Sequence, residues 1–356
     1  MIDAVTARAY TVPTDRPESD GTFAWDATTI VVVEVAAAGG RGLGYTYCDA
    51  LAAGLVESVL APLVAGADPL APPAAWEAMR RGVRNLGGQG IAAMAIAAVD
   101  IALWDLRAKL LGLSLADSLG RRRDSIPAYG SGGFTSLAGE DLAAQLGGWA
   151  AAGFAAVKMK VGRDPDRDRD RLATAREAIG PAVTLMVDAN GAFDPREAAR
   201  QAEVYDTFDV AWLEEPVSSE DLDGLAWLRH RVPAGIELAA GEYLWDAAEA
   251  ARLAPSVDTL QLDVTRCLGI TGALQIGDLC AARGQPLSAH GAPQISAHFC
   301  CATERAFDLE FFHDHARIEP LLFDGAIEPE AGRLRPDPHR PGLGLTLREE
   351  AERFRA

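Results

Sequence analysis

The chain has 356 residues, of which 49% are hydrophobic and 24% charged, and its net charge is −18 at pH 7. This composition is ordinary for a globular protein with a large core, and the length fits a large barrel with a smaller domain or two equal halves. The acidic balance, with only short basic clusters such as Arg121–Arg123, disfavours nucleic acid and anionic membranes as partners.

The N-terminus and the cysteines favour a cytoplasmic protein. The opening residues have no charged segment followed by an apolar one, as a secretory signal would. The longest apolar stretch, near residues 91–104, is interrupted by Asp100 and suits a buried helix better than a membrane span. Five cysteines without CxxC spacing are expected to be reduced thiols, to which we assign no role.

The first part of the chain predicts an α+β unit. Two β-branched, alternating segments within residues 1–35 predict strands, joined by a long polar loop at 13–25. Helical periodicity follows near 49–64, 73–81 and 88–111. The last of these is apolar nearly all round, so it is expected to be buried, with Gly112 as its C-cap.

From about residue 127, short apolar runs alternate with amphipathic helical stretches. The runs are AYGSGG, AAVKMKV, VTLMVDA, VAWLEE, IELAAGE, TLQLDV, PLSAH and FDLEFF. About eight strand–helix alternations predict an α/β fold of the (β/α) TIM-type barrel. The Pro- and Arg-rich residues 319–356 are expected to pack back on the first unit.

Ionisable side chains interrupt these runs at their carboxyl ends, where chemistry takes place in such barrels. They are Lys158 and Lys160, Asp188, Glu214 and Glu215, Glu242, Asp263, His290 and Glu310, with Asn190 beside them. From Lys160 onward they are spaced by 20 to 28 residues, roughly one strand–helix unit. A single acid after a strand is typical of a helix N-cap, but seven consecutive strand ends are hard to explain in this way.

Three of these carboxylates, Asp188, Glu214 and Glu242, would repel one another unless a divalent cation joined them. Oxygen-only ligands favour Mg²⁺ first and Mn²⁺ second. In VKMKVG, Lys158 and Lys160 point to the same face of a strand. They are either the solvent face of an edge strand, or a pair in which Lys158 and the metal lower the pKa of Lys160 so that it acts as a base.

The ordered set KMK, VDAN, LEEP, AGE, LDVTRCLGIT, SAHG and DLE resembles the enolase superfamily, specifically its mandelate racemase subgroup, over the whole chain. The resemblance implies a modified, (β/α)7β-like barrel with an N-terminal α+β capping domain. It places the capping domain at 1–125, the barrel at 126–318 and a C-terminal segment at 319–356.

The resemblance also implies roles for individual residues. Asp188, Glu214 and Glu242 would bind Mg²⁺ and, through it, a substrate carboxylate. Lys160, with Lys158 as its partner, would be the base on one face of the substrate, and His290, oriented by Asp263, the acid or base on the other. A protonated Glu310 would hydrogen-bond the developing enolate. Leu268 departs from the glycine often found in this subgroup, and Glu215 has no assigned role.

The reaction and the substrate contacts stay open at this level. The pattern favours dehydration of an acid sugar (an aldonate or aldarate), with racemisation or epimerisation of a 2-hydroxy acid as the alternative. Asn190 and Ser131 are expected near the substrate, and loop 13–25 over the mouth of the barrel. Arg16 would favour a diacid, Phe23 and Trp25 an aromatic acid, and Tyr45 and Tyr47 are further candidate contacts.

Other classes of function fit less well. A catalytically silent metal-binding barrel would be expected to lose Lys160, His290 or Asp263, and a lysine Schiff-base aldolase has no need of three converging acids. His298, His313 and His315 suggest zinc, but HDH at 313–315 is interpreted as a solvated segment. We expect a small-molecule carboxylate as substrate, and a homo-oligomer.

Overall fold

The computed structural model describes residues 1–356. The chain begins with a three-stranded antiparallel sheet in the order β1-β2-β3. Its strands are β1 (Ile2–Ser19), β2 (Ala24–Ala37) and β3 (Gly40–Tyr47). The helices that follow are α1 (Leu51–Leu55), α2 (Ala61–Val64) after a π-helical turn at Val56–Leu60, α3 (Pro72–Gly82), α4 (Ile91–Leu111) and α5 (Leu115–Ser118). The predicted antiparallel α+β unit is therefore confirmed.

Helix α4 joins this capping unit to the rest of the molecule. It is buried nearly all round and ends at Gly112, whose φ of 67° is left-handed, as predicted. Strand β3 lies so close to α4 that a Cβ on Gly44 would be 2.2 Å from the carbonyl oxygen of Ala98. The fully buried Asp100 accepts hydrogen bonds from the backbone N–H (2.8 Å) and the hydroxyl (2.7 Å) of Thr271 in the second unit.

The second unit is a closed parallel barrel of eight strands, in which the eighth strand pairs with the first. The strands are β4 (Ile126–Gly132), β5 (Ala156–Lys160), β6 (Thr184–Asp188), β7 (Val210–Glu214), β8 (Glu237–Ala240), β9 (Thr259–Leu262), β10 (Leu287–Ala289) and β11 (Ala306–Phe312). All eight coincide with the runs identified in the sequence, so the predicted barrel is confirmed.

Seven helices connect these strands, and one more follows the eighth strand. They are α6 (Gly139–Ala151), α7 (Pro165–Ile179), α8 (Pro195–Asp206), α9 (Leu222–Leu228), α10 (Ala247–Leu253), α11 (Gly269–Arg283), α12 (Pro293–Ala302) and α13 (His313–Leu322). A 3₁₀ turn, Ala254–Ser256, extends α10. No helix of the chain is both long and apolar enough to cross a membrane.

The C-terminal residues contact both units. Strand β13 (Arg333–Leu334) pairs antiparallel with β4 of the barrel, and β12 (Phe323–Asp324) pairs with β14 (Thr346–Leu347). The 3₁₀ helix Glu349–Phe354 packs against β1, and Arg355 forms a β-bridge with Tyr10.

The predicted loop 13–25 is instead the end of the β1–β2 hairpin, with a short turn between the strands. Pairing continues to Glu18–Trp25 and Ser19–Ala24 after a register shift beyond Pro13, so the polar, proline-containing sequence is an irregular strand. The tip reaches the mouth, the barrel end where the strands' carboxyl ends lie. There Arg163, after β5, donates to the carbonyl oxygens of Asp20 (3.0 Å) and Phe23 (2.8 Å). The hairpin tip therefore contacts the mouth, and the segment is a paired strand instead of the predicted loop. That it covers a bound substrate stays a prediction.

Candidate active site

The carboxyl ends of neighbouring strands bring the three predicted metal ligands together. Strand register pairs Lys160 with Asp188 and Asp188 with Glu214, and Glu242 follows β8. One carboxylate oxygen from each of Asp188, Glu214 and Glu242 lies within 4.8 Å of the others, and all three residues are buried. Three buried carboxylates at this spacing can hold one cation.

The donor chemistry of this cluster fits a hard cation. Three buried oxygen atoms at this end of the barrel have no hydrogen-bond partner: Glu242 Oε2, Glu215 Oε1 and Asn190 Oδ1. The cluster offers oxygen and no sulfur, which is the set that Mg²⁺ prefers. Glu215, which had no role in the sequence interpretation, has a pKa raised well above its ordinary value by burial and then by Glu242.

The two lysines of KMK face the barrel interior. Strand β5 is paired with β4 on one side and β6 on the other, so the edge-strand interpretation is wrong. The fully buried Nζ of Lys158 lies 2.6 Å from Glu214 Oε1 and 3.0 Å from Glu310 Oε1, and Lys160 Nζ bonds Asp188 Oδ2. Each lysine therefore neutralises a carboxylate of the cluster.

The protein groups around Lys160 do not by themselves produce the expected lowering of its pKa. Burial lowers it, and so does Lys158, as predicted, but Asp188, Glu242 and Glu310 together outweigh them and the pKa is raised. The prediction considered only the like charge and the metal, whereas the contact with Asp188 dominates.

His290 and Asp263 form the predicted pair. His290 Nδ1 lies 2.8 Å from Asp263 Oδ2, while Nε2 lies 3.2 Å from Glu242 Oε2 and 3.4 Å from Glu310 Oε2. Asp263 is itself fixed by the backbone N–H and hydroxyl of Thr265, each 2.7 Å from Oδ1. Asp263 thus orients the ring so that Nε2 points toward the carboxylates.

Glu310 lies where predicted, but the protein groups around it favour its ionised form rather than the expected protonated one. Although burial raises its pKa, Lys158, His290 and Lys160 lower it further, so that the pKa lies well below its ordinary value. Ser131, a predicted substrate neighbour, donates a 2.6 Å hydrogen bond to Glu310 Oε1. It therefore positions Glu310.

Sequence reasoning missed two side chains that support Glu214 from the layer below. Trp212 Nε1 donates to Glu214 Oε2 at 3.0 Å, and Gln261 Nε2 donates to the same oxygen at 3.2 Å. Each lies two residues before a predicted site residue, Glu214 or Asp263, and hence on the same face of its strand. That spacing is the signal that identifies them.

Replacing Trp212 with Phe is expected to weaken Mg²⁺ binding by about 10–100-fold, as loss of a hydrogen bond to a metal ligand typically does. Isothermal titration calorimetry of Mg²⁺ checks this, with the partly exposed Trp227→Phe as matched control. Unchanged affinity in a variant that keeps its melting temperature would show that Trp212 only fills space.

Four non-glycine residues after barrel strands adopt left-handed backbone conformations. Their φ values are 46° for Asn190, 39° for Glu215, 66° for Leu268 and 41° for Ala292. Such conformations are strained for side chains with a Cβ and cluster at functional sites. Leu268, the departure from the family pattern, keeps the turn that a glycine would form more easily.

Three further predicted substrate contacts have different environments. The Asn190 backbone N–H donates to Asp188 Oδ1 at 2.9 Å, beside the carboxylate cluster. Arg16 pairs with Asp141 on α6 at 3.3 Å and is 44% exposed, so its contact with a distal carboxylate stays a prediction. Tyr45 is fully buried and donates to Glu319 Oε1 at 2.7 Å, which makes it a core residue.

The solvated interpretation of HDH at 313–315 is also wrong. Asp314 and His315 are buried, and the His315 ring stacks on Tyr47 with centroids 3.5 Å apart. His298 is buried elsewhere, where its Nδ1 accepts from the backbone N–H of Ala116 at 3.1 Å. The three histidines therefore do not form one zinc site.

The structure combines a closed (β/α) barrel and a capping sheet with three carboxylates on successive strands and with lysine and histidine side chains at the mouth. This combination defines a class of enzymes that use a metal ion to act on a substrate carboxylate. The chain matches the family "Mandelate racemase / muconate lactonizing enzyme, N-terminal domain" over residues 4–120 and "Enolase C-terminal domain-like" over residues 141–351. It therefore belongs to the mandelate racemase/muconate lactonizing enzyme family of the enolase superfamily, which confirms the resemblance.

Three relatives are similar over most of their length. A mandelate racemase/muconate lactonizing enzyme-like protein from Rubrobacter xylanophilus has 55% identity and a TM-score of 0.98, covering 100% of this chain and 99% of that one. The 3,6-anhydro-alpha-L-galactonate cycloisomerase of Streptomyces coelicolor is 33% identical, over 98% of this chain and 97% of its own.

The third relative is the L-talarate/galactarate dehydratase of Salmonella typhimurium, 36% identical over 76% of this chain and 67% of its own. Its structure with Mg and L-lyxarohydroxamate has a TM-score of 0.90 and covers 100% of this chain and 93% of that one.

Proposed function

We propose that this enzyme dehydrates an acid sugar, an aldonate or aldarate, with Mg²⁺ as cofactor and Mn²⁺ as a substitute. The observation that carries the proposal is the placement of two proton-transfer groups across one carboxylate cluster: Lys160 bonds Asp188, and His290 Nε2 lies 3.2 Å from Glu242. The dehydratase relative, whose structure carries Mg and an acid sugar analogue, supports the same chemistry.

Asp188, Glu214 and Glu242 would hold the metal ion. When bound, Mg²⁺ supplies Lewis-acid stabilisation of the substrate carboxylate as negative charge develops on it. The ammonium of Lys158, 3.0 Å from Glu310 Oε1 and fully buried, adds a fixed positive charge to the same region. Preorganised charge of this kind is worth most where water is excluded.

The protein groups then move two protons. The neighbouring carboxylates raise the pKa of Lys160, and the charge of the bound metal would offset them so that the neutral amine is available. Neutral Lys160 removes the proton α to the carboxylate, and the electron pair forms the enolate. His290 Nε2 donates a proton to the β-hydroxyl, which leaves as water, and the resulting enol tautomerises to a 2-keto-3-deoxy acid. Asp263 keeps the ring oriented through the 2.8 Å contact at Nδ1.

Isomerisation is the second candidate, because the same two groups can exchange the α-proton on both faces without loss of water. A racemase from Streptomyces coelicolor with bound magnesium, which is 30% identical with a TM-score of 0.94 over 100% of both chains, favours this alternative. A racemase or epimerase would return the proton from His290 to the carbon, whereas a dehydratase delivers it to oxygen.

Proton NMR in D₂O with Mg²⁺ tests the proposal on a panel of acid sugars, diacids and mandelates. We expect loss of one acid sugar with appearance of a 2-keto-3-deoxy product, and no reaction after EDTA treatment or in Lys160→Ala. Exchange of the α-proton without loss of water would replace dehydration by isomerisation. Metal binding with no reaction across the panel would contradict the proposed substrate class.

We propose further that the enzyme is a cytoplasmic homo-oligomer with a capping domain at 1–125, a barrel at 126–318 and a C-terminal segment at 319–356. All five cysteines are free, which suits a reducing compartment. The contacts of the C-terminal residues with both β1 and β4 support the third segment. Light scattering of the purified protein tests the oligomeric state.

A further inference from the structure

A second group of metal-ligating side chains lies where the β1–β2 hairpin meets the barrel. Asp15 and Glu18 come from β1, and His313 is the first residue of α13. His313 Nε2 lies 3.2 Å from Asp15 Oδ1 and 3.9 Å from Glu18 Oε1. One ligand atom from each of the three lies within 4.8 Å of the others, and none of them belongs to the catalytic set.

Glu18 is the residue whose environment requires explanation. It is 1% exposed, and Trp25 Nε1 donates to its Oε2 at 2.8 Å, but its Oε1 has no hydrogen-bond partner. A buried carboxylate oxygen without a donor is costly, because water has been removed and nothing replaces it. The unpartnered oxygen is the one nearest His313 Nε2.

The surrounding charges leave this place with an excess of negative charge. The fully buried Asp314 lies beside Glu18 and is paired with Arg317 at 2.9 Å. Arg16, the other nearby cation, is already paired with Asp141. Asp15 and Glu18 therefore face a histidine, and burial, then Asp314, raise the pKa of Glu18 to about 8.

We propose that Asp15, Glu18 and His313 form a second divalent-cation site, separate from the catalytic cluster and selective for zinc-type ions. Zinc accepts imidazole nitrogen and carboxylate oxygen as ligands, and three protein ligands leave a fourth position for water. The catalytic cluster offers only oxygen and suits Mg²⁺. The two sites therefore differ in the metal that they prefer, and the second does not depend on the proposed reaction.

His313 needs one rearrangement to act as a ligand. Gln145 Nε2 lies 3.3 Å from His313 Nδ1. With the amide as donor in this contact, the ring proton is on Nε2, facing the carboxylates. A cation takes the place of this proton, which moves to Nδ1. Rotation of the Gln145 amide then offers its oxygen, at the expense of the 2.7 Å bond from Gly133 N–H. This exchange keeps the affinity moderate.

A cation bound by Asp15, Glu18 and His313 would link the β1–β2 hairpin to the barrel. The hairpin tip already contacts the mouth through Arg163, and Thr22 Oγ1 lies 3.3 Å from the carbonyl oxygen of Asn190. Because β1 supplies two ligands and α13 supplies one, the bound ion would oppose lifting of the hairpin away from the catalytic carboxylates.

Zinc titration of the Mg²⁺-saturated full-length protein tests the site. By calorimetry and native mass spectrometry, we expect the wild type to bind one more equivalent of Zn²⁺ than His313→Gln, or to bind it at least about tenfold more tightly. The exposed His339→Gln serves as matched control and should behave as the wild type. Zn²⁺ should also slow hydrogen exchange in residues 13–25 of the wild type and of His339→Gln, but not of His313→Gln.

Equal zinc stoichiometry and affinity in the wild type and His313→Gln would overturn the proposal, and would mean that a proton alone neutralises Glu18. If His313→Gln does not fold, Asp15→Asn, which changes a partly exposed side chain, replaces it with the same expected loss. Zinc binding that is unchanged in both variants would show that the ion binds at the catalytic cluster, and it would also overturn the proposed second site.

Discussion

Replacing His290 with Asn is expected to reduce dehydration by about 10²–10⁴-fold, the usual contribution of a positioned acid, while exchange of the substrate α-proton with D₂O continues. Exchange continues because Lys160, on the other side of the cluster, still removes and returns the proton. Lys160→Ala, in contrast, is expected to abolish both exchange and dehydration. Proton NMR of substrate and product in D₂O measures both processes in one sample.

The two variants assign the two roles only if their effects differ. His230→Gln, a change at an exposed histidine, is the matched control for His290→Asn and should keep wild-type turnover. Full turnover in either active-site variant, or α-proton exchange retained in Lys160→Ala, would contradict the roles given to these residues. Loss of exchange in His290→Asn would indicate that His290 is the base.

Replacing Glu214 with Gln is expected to lower Mg²⁺ affinity by more than about 100-fold and to abolish turnover. Removing a metal ligand weakens Mg²⁺ binding more than removing a group that hydrogen-bonds to a ligand. The change also frees Lys158, whose Nζ lies 2.6 Å from Glu214 Oε1, from its nearest carboxylate. Calorimetric titration with Mg²⁺ measures the affinity, and the NMR assay measures turnover over a range of Mg²⁺ concentrations.

Two further variants serve for comparison with Glu214→Gln. Trp212→Phe removes a buried group that supports Glu214, and Glu203→Gln changes an exposed glutamate as a control. Trp212→Phe is expected to regain turnover at high Mg²⁺, Glu203→Gln to match the wild type throughout, and Glu214→Gln to stay inactive. Wild-type Mg²⁺ affinity in a folded Glu214→Gln protein would exclude Glu214 as a ligand. It would leave Asp188 and Glu242 to hold the ion with another group.

The sequence alone determined the barrel and the composition of its mouth. Alternation of strand and helix is a local pattern, and β-strand periodicity fixes which side chains share a face, so Lys158 and Lys160 were placed together without coordinates. Spacing by one strand–helix unit placed Asp188, Glu214, Glu242, Asp263, His290 and Glu310 at one end. The support of Glu214 by Trp212, which sequence reasoning missed, follows the same periodicity.

Only the tertiary structure decided the partners and the charge states. Residues 13–25 have the prolines and polar residues of a loop, but their pairing with β2 makes them a strand. Tyr45 is buried because Glu319, far along the chain, accepts its hydroxyl. The pKa of Glu310 lies below its ordinary value in spite of burial, because the ammonium of Lys158 lies 3.0 Å from its carboxylate. Pairing across the fold and the distance between charges depend on long-range geometry, which local periodicity does not encode.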